Sequence, residues 1–317
     1  MIRILSVIAL FMWLFSPHEV AAQPRRTLHD AGTAGRLVVS PQGSGGEALR
    51  LQRNGRTIWH TRDQRFEPFG DGAAVRIAEG KTAIGITGWT GGAYCCWTLH
   101  LFRPGPEGLA HIASLPLGKR EPDVIRLSPP GGPVIQVADA AFDFWDAPMS
   151  LASDLHPTVP LRWTGRRLEP DVAAMRRPVA AALGTACVDM AAPDDMPPPE
   201  QAIATYASLE AAIAALRARD WNARPDTAPH PGVEAARLAA CLVYSGRAEE
   251  GRNLLRAAWP AGAPGLAETE RQLAARLACS PFAAAVRAAN PQGAPFTTTR
   301  CNRGGRDQTA LFALDWR

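Results

Sequence analysis

The sequence predicts an α+β protein in which an N-terminal antiparallel all-β domain, sandwich or propeller-like, precedes a small domain of helical hairpins. From residue 36 to residue 169, short alternating runs are joined by Gly- and Pro-rich turns with no helical pattern between them. From Asp171 onward alanine dominates and apolar residues recur at helical spacing. The predicted organisation is a signal peptide over 1–22, the β domain over 23–170, the helical domain over 171–296 and a C-terminal tail over 297–317.

The chain begins with the pattern of a secretory signal peptide. Arg3 precedes an apolar run from Ile4 to Phe15, and the small residues that end at Ala22 predict cleavage after that position. The run is shorter than the roughly 20 residues of a membrane span. The alternative interpretation is an uncleaved N-terminal anchor. We therefore expect a periplasmic or secreted bacterial protein with no stable membrane span after cleavage.

The composition and charge of the chain limit the kinds of partner that we expect it to bind. The chain has 317 residues, of which 46% are hydrophobic, and this fraction is ample for buried cores. The net charge is +4, and nearly all positive charge is arginine, because Lys81 and Lys119 are the only lysines. No basic run exceeds two residues, and aromatic residues do not interleave with basic clusters. We therefore expect no nucleic-acid partner.

The β elements follow from turn residues. Asn54-Gly55 between two alternating runs is a strong hairpin signal, since both turn positions need positive φ. Further hairpins are predicted over residues 74–87, 94–115, 124–138 and 161–168. The apolar tail over residues 309–316 needs burial, and it is predicted either as a strand that returns to the β domain or as a helix.

The helical half contains one distinctive pattern. A helix is predicted to end near Ser245-Gly246, and a second begins at once with Glu249-Glu250 in its first turn, where negative charge suits the helix dipole. This αα-hairpin looks like a single tetratricopeptide-type unit. Stable arrays of such units need about three or more repeats. We therefore expect a small domain of hairpins rather than a solenoid.

Six cysteines follow the predicted signal peptide. An even count in an exported chain favours disulfides, here among Cys95, Cys96, Cys187, Cys241, Cys279 and Cys301. Proximity suggests that Cys279 pairs with Cys301 and Cys187 with Cys241, although the sequence cannot choose among the possible connectivities. Adjacent strand residues point to opposite faces. For Cys95 and Cys96, a vicinal bridge, two buried thiols and bonds to different partners therefore all remain open.

The segment from Thr90 to Cys96, Thr-Gly-Gly-Ala-Tyr-Cys-Cys, resembles a group of uncharacterised secreted bacterial proteins that carry Gly-Gly-Ala-His-Cys-Cys on a strand. Some of these look like integrin-type β-propeller fragments. The likeness extends through residues 142–145 to residues 161–165 and covers about residues 80 to 177. Tyr94 stands where the group usually has histidine, so no metal role is carried over to that position. The resemblance implies a fold and a compartment, and no activity.

His100 and His111 are the sharpest candidate pair for chemistry. The predicted hairpin centre between Gly105 and Pro106 would place the two histidines directly opposite each other, with Cβ atoms about 5 Å apart. By alternation Cys96 shares the face of His100. A copper or zinc site formed by Cys96, His100 and His111 is therefore a hypothesis. The alternative is two partly exposed histidines on a solvent face, with Cys96 oxidised.

A second candidate is the loop that carries Asp139, Asp143 and Asp146 together with aromatic residues that include Trp145. Carboxylates beside aromatic rings suit a sugar or a hard cation such as Ca²⁺, and paired carboxylates also serve glycoside hydrolysis. The alternative is a structural loop whose aspartates cap turns and whose aromatics fill the core. No nucleophilic triad or phosphate-binding loop is visible in the sequence.

The favoured function is a non-enzymatic binding or interaction module of the cell envelope. The β domain would be a stable platform, and the helical domain would offer a groove for a peptide or an envelope protein. The alternative is a metal-binding or hydrolytic protein that uses the His100/His111 pair or the Asp139-Asp143-Asp146 loop. No cofactor is predicted, and the oligomeric state is left open.

Overall fold

The computed structural model describes residues 24–43, 45–70, 73–92, 95–119, 135–143, 157–176, 206–222 and 230–293. Within these residues the chain forms twelve strands in three antiparallel sheets and six α-helices. All of the strands come before the first α-helix, so the predicted α+β class is confirmed. The predicted signal peptide and the predicted tail strand lie outside the described residues.

The strands fall into three sheets. The first sheet, in the order β1-β2-β3-β4, contains Arg26–Asp30 (β1), Arg36–Pro41 (β2), Glu47–Arg53 (β3) and Arg56–Asp63 (β4). The second contains Arg65–Pro68 (β5), Ala74–Ala78 (β6), Lys81–Gly92 (β7), Cys95–Gly105 (β8) and Gly108–Gly118 (β9). Its order is β5-β7-β8-β9, and β6 also pairs with β7. The third contains Ile135–Ala138 (β10), Thr158–Trp163 (β11) and Leu168–Pro170 (β12).

The helices follow the sheets along the chain. They are Val172–Met175 (α1), Leu209–Arg217 (α2), Pro231–Tyr244 (α3), Ala248–Ala258 (α4), Leu266–Cys279 (α5) and Ala283–Ala289 (α6). Two short 3-10 helices, Gly32–Ala34 and Ala140–Phe142, lie among the strands. Within the described part of the chain, no helix is both long enough and apolar enough to cross a membrane.

The predicted turns form where residue chemistry demands them. Asn54 and Gly55 join β3 to β4 with φ values of 49° and 77°, as a two-residue hairpin turn requires. The hairpins predicted over residues 74–87, 94–115 and 161–168 are confirmed as β6–β7, β8–β9 and β11–β12. Of the hairpin predicted over 124–138, only β10 lies within the described residues.

The second sheet is the middle layer of the molecule. One of its faces packs against the first sheet, where Leu49 and Leu51 of β3 share a fully buried cluster with Ile86 and Phe102. Its other face belongs to a larger cluster that includes the third sheet and the helices.

The ion pair between Arg26 and Glu47 closes the open edge of β5. The backbone N–H and C=O of Phe66 point away from β7. The N–H donates to Glu47 Oε2 at 2.7 Å, and the carbonyl accepts from Arg26 Nη2 at 2.6 Å. Arg26 Nη2 also lies 2.8 Å from Glu47 Oε2. The two side chains thus replace a missing strand and tie the first sheet to the second, which removes an unpaired edge.

The predicted αα-hairpin is confirmed as α3 and α4. The buried amide of Asn290 holds it together from both sides. Asn290 Nδ2 donates to the Val243 carbonyl at 2.8 Å, and Asn290 Oδ1 accepts from the Ala248 N–H at 2.9 Å. One side chain therefore satisfies the end of α3 and the start of α4, which are the backbone groups that a helix leaves unpaired.

Replacing Glu47 with alanine should destabilise the fold by about 3 kcal/mol, because it leaves the buried Phe66 N–H without an acceptor and Arg26 without its counter-charge. The matched control is Glu67→Ala, since Glu67 pairs with Arg65 at 3.2 Å with both side chains nearly half exposed. This control should cost less than about 1 kcal/mol. Urea unfolding measures both, and equal losses would contradict the edge-closing role of Glu47.

Candidate functional site

A β-bulge in β9 determines the geometry around the two histidines. His100 pairs with Ser114, and Phe102 pairs with His111, with a register shift between Leu101 and Phe102. The prediction that His100 and His111 lie directly opposite each other is therefore wrong. Gly105 pairs with Gly108, so the turn lies one residue later than predicted, and the bulge then adds a residue to β9. The added residue turns His111 and Ser114 to the same face of the sheet.

Ser114 lies between the two imidazole rings. Its hydroxyl oxygen is 2.9 Å from His100 Nδ1 and 2.9 Å from His111 Nε2. The ring centroids of the two histidines are 6.4 Å apart. Ser114 is exposed, His111 is partly buried and His100 is buried. The hydroxyl has one proton, so it can donate to only one of the two rings, and the other ring can donate an N–H to the serine oxygen.

Aromatic side chains fix the positions of both rings. Trp59 of β4 stacks on His111 with centroids 4.4 Å apart and an interplanar angle of 18°, and it meets His100 edge-on at 5.5 Å. Phe102 packs against His111 at 5.4 Å, and Phe66 packs against His100 at 6.0 Å. The first sheet thus supplies the wall of a site whose polar groups all come from the second sheet.

Burial lowers the pKa of both histidines. Burial first, and then the neighbouring charge of His111, lowers the pKa of His100 from 6.5 to about 4. Burial also lowers the pKa of His111, and a hydrogen bond to the backbone at Ala113 partly offsets this effect. Both rings are therefore neutral near pH 7 and each offers one nitrogen lone pair.

The three-ligand metal hypothesis for Cys96, His100 and His111 finds no support in the geometry. No group of three His, Cys, Asp or Glu side chains that could hold a metal occurs among the described residues. Cys96 lies four residues from His100 along β8, which is about 13 Å at the rise of a strand. Its backbone N–H donates to Thr90 Oγ1 at 2.7 Å, at the far end of the hairpin. The pair of histidines forms without the cysteine.

Asp139, a predicted ligand-binding residue, is fully buried between the sheets and the helices. Its Oδ1 accepts from the Ala141 N–H at 2.9 Å and caps the 3-10 helix Ala140–Phe142. Its Oδ2 accepts hydrogen bonds from the hydroxyls of Tyr244, at the end of α3, and Ser280, just after α5. Burial and the adjacent carboxylate hold the pKa of Tyr244 well above its usual value. The side chain therefore joins the two halves of the molecule.

Asp143 and Arg276 complete this junction. Asp143 is buried, and its Oδ2 accepts from the Lys119 N–H at 2.9 Å. Arg276 of α5 is fully buried, and its Nη1 donates to the carbonyls of Ala141 and Asp143 at 2.6 and 3.0 Å. Asp139 and Asp143, the two described aspartates of this loop, therefore fit the alternative in which the loop is structural. Trp145 and Asp146, the other two predicted ligand residues, lie outside the described residues.

The disulfide predictions remain predictions. Cys187 and Cys301, the suggested partners of Cys241 and Cys279, lie outside the described residues, as does the side chain of Cys95. Comparison with known proteins adds no assignment, because no protein-family description, no curated protein and no solved structure matches this chain.

Ser114 and Trp59 are the members of the histidine cluster that sequence reasoning missed. His111 and Ser114 are three residues apart, so strict alternation places them on opposite faces of a strand. Only the bulge at Ile112 brings them together. Trp59 comes from a different sheet, and its contact with His111 depends on how the two sheets pack. No local pattern in the sequence predicts the bulge or the contact between Trp59 and His111.

The lowered pKa of His100 predicts a stability that falls in mild acid. Between pH 6.5 and about 4 the unfolded chain binds a proton that the folded His100 rejects, so the free energy of unfolding decreases as the pH falls through this window. The full difference for this buried ring is about 3 kcal/mol. The variant His100→Asn keeps a hydrogen-bonding group near Ser114 without the titration and should flatten the curve. Urea unfolding across this pH range measures the slope.

The control introduces the same new side chain at Thr57, an exposed position of β4 that carries no titratable group. Thr57→Asn should keep the wild-type slope. A wild-type slope in His100→Asn would show that the acid sensitivity has another source.

Gly118 tests the structural role of Asp143. Gly118 and Gly80 both have a φ of +62°, but a Cβ on Gly118 would overlap the Asp143 carboxylate, whereas a Cβ on Gly80 meets nothing within 4 Å. Gly80→Ala should cost about 1–2 kcal/mol from backbone strain alone. Gly118→Ala should cost at least about 2 kcal/mol more, because it displaces the acceptor of the Lys119 N–H. Thermal unfolding of the pair isolates this difference, and equal losses would rule out the role.

Proposed function

We propose that this protein is an exported binding module of the bacterial cell envelope that takes an extended, acidic peptide segment of a partner protein along strand β4. The observation that carries the proposal is a row of four exposed residues along that strand, namely Arg56, Ile58, His60 and Arg62. The export, the disulfides, the sandwich or propeller-like β domain and the tetratricopeptide-like hairpin belong to the same proposal, as its compartment and scaffold.

Strand β4 is the terminal strand of the first sheet. Among the described residues β3 is its one strand partner, so half of its backbone N–H and C=O groups point away from the described sheet. It is eight residues long, and Ile58 in its bulge is 45% exposed, more than any other large apolar side chain in the described part of the chain. An extended peptide can add to such an edge through main-chain hydrogen bonds while an apolar side chain of the peptide covers Ile58.

Charge selects an acidic partner. Arg62 lies on the diagonal from Arg50, and Arg53 lies opposite Arg56. Like charges in cross-strand positions repel each other. Neither Arg56 nor Arg62 forms a salt bridge within the described residues. Carboxylates on every second residue of an added strand would relieve this repulsion, and complementary charge of this kind raises both specificity and association rate.

The helical half supports this location on β4 rather than the predicted helical groove. Every residue of α3 is buried, so this helix has no open face toward which a peptide could approach. The hydrolytic alternative is weakened in the aspartate loop, because Asp139 and Asp143 are buried and accept hydrogen bonds within the junction. Export itself is supported by the signal-peptide pattern and by the even number of cysteines.

The test uses a fluorescent synthetic peptide of about eight alternating Glu and Val residues, matched to the length of β4. Fluorescence anisotropy with the purified protein should show saturable binding that weakens with added salt. Arg62→Glu should weaken binding by about tenfold or more. Arg217→Glu, at an exposed position of α2, changes the net charge equally and should leave binding nearly unchanged.

Three outcomes would contradict the proposal. One is equal binding of a Lys and Val peptide, and another is equal binding of a peptide in which prolines prevent strand pairing. The third is binding to phosphatidylglycerol vesicles that depends on Arg62 while the acidic peptide does not bind, because the basic row would then serve a lipid surface.

A further inference from the structure

We propose that Ser114 is an activated nucleophile that takes an acyl group from small esters, with His111 as its general base and His100 as an N–H donor to the serine oxygen. This activity is independent of peptide binding on β4. The inference rests on the placement of one exposed hydroxyl 2.9 Å from a ring nitrogen on each side.

The contrast in burial assigns the two roles. His100 is 5% exposed and is enclosed by Trp59 and Phe66, so placing a positive charge on this ring is costly. It is therefore suited to donate a neutral Nδ1–H to the serine oxygen. His111 is less buried, and a proton that it accepts at Nε2 can be passed to a leaving group or to water. Ser114 then presents its oxygen to solvent on the open side.

The rings are held in place before any substrate arrives. Trp59 covers one face of His111, and Phe102 packs at its edge, so the ring that must face Ser114 has little freedom to rotate. Burial keeps both rings neutral near pH 7, which leaves His111 able to accept a proton. A serine hydroxyl is a weak nucleophile unless an adjacent base is held at hydrogen-bond distance, and this arrangement supplies such a base.

The step balances without a co-reactant. Ser114 Oγ forms a bond to the acyl carbon as its proton moves to His111 Nε2, while His100 Nδ1–H stabilises the negative charge that develops on Oγ before attack. The ester C–O bond then breaks, and the leaving alcohol takes the proton from His111. The product is an acyl ester on Ser114 and a free alcohol, and His111 is again neutral. Water can later release the acid by the same sequence in reverse order.

The experiment uses a fluorophosphonate probe, which forms a bond from phosphorus to Ser114 Oγ and releases fluoride. The purified native protein should be labelled at Ser114, as located by peptide mass mapping, and Ser114→Ala should lose this label. His111→Asn should slow labelling by about 100-fold, the usual contribution of a general base. His29→Asn, on strand β1, is the matched histidine control and should label at the wild-type rate. With p-nitrophenyl acetate, the wild type should release p-nitrophenol in a burst of one equivalent.

A second measurement uses the unaltered protein, so the test stays valid even if a variant does not fold. The labelling rate of the unaltered protein should fall as His111 becomes protonated in acid, while its circular dichroism spectrum stays native. No label at Ser114, a rate independent of pH, or an unchanged rate in folded His111→Asn would each overturn the proposal. Labelling is located by mass mapping at Ser114 and peptide binding is measured by anisotropy, so failure here is distinct from failure of peptide binding on β4.

Discussion

The buried carboxylate of Asp139 fixes how the β half and the helical half meet. A carboxylate removed from water is costly unless hydrogen bonds replace its hydration. Here hydroxyls from Tyr244 and Ser280 supply those bonds to one oxygen, and a backbone N–H supplies one to the other. Arg276 reinforces the junction in the opposite direction, from helix to loop. Because hydrogen bonds are directional, they select one placement of the helices where apolar contacts alone would allow the layers to slide.

This junction separates the two faces of the middle sheet by role. The polar contacts of Asp139, Asp143 and Arg276 join the sheets to the helices, and the aspartates that resemble a ligand site in sequence belong to these contacts. The opposite face meets the first sheet and carries His100, His111 and Ser114. A residue pattern that suggests a functional site in the sequence can therefore serve the fold instead, as Asp139 and Asp143 do. The hydroxyl that we propose as reactive, on Ser114, lies on the opposite face, where the neighbouring sheet leaves it exposed.

The parts of the fold that the sequence predicts are those that local backbone preferences decide. Asn54-Gly55 and the break at Ser245-Gly246 are predicted because turn residues report their own φ requirements. The role of Asp139 is not predictable in this way, since its hydroxyl partners lie 105 and 141 positions along the chain. The site around Ser114 could not be predicted from the sequence, for a different reason. A bulge reverses the alternation of side chains, and its position depends on cross-strand packing that a single strand does not encode.

Strand β4 takes part in both proposed activities because successive side chains of a strand point to opposite faces. Trp59 faces inward and stacks on His111, whereas Ile58 and His60 on either side of it are exposed on the outer row. The same strand is thus a wall of the serine site and the open edge of the first sheet. Because Trp59 packs against His111, the contact that forms a wall of the serine site also fixes the middle of the strand edge on which we propose peptide binding.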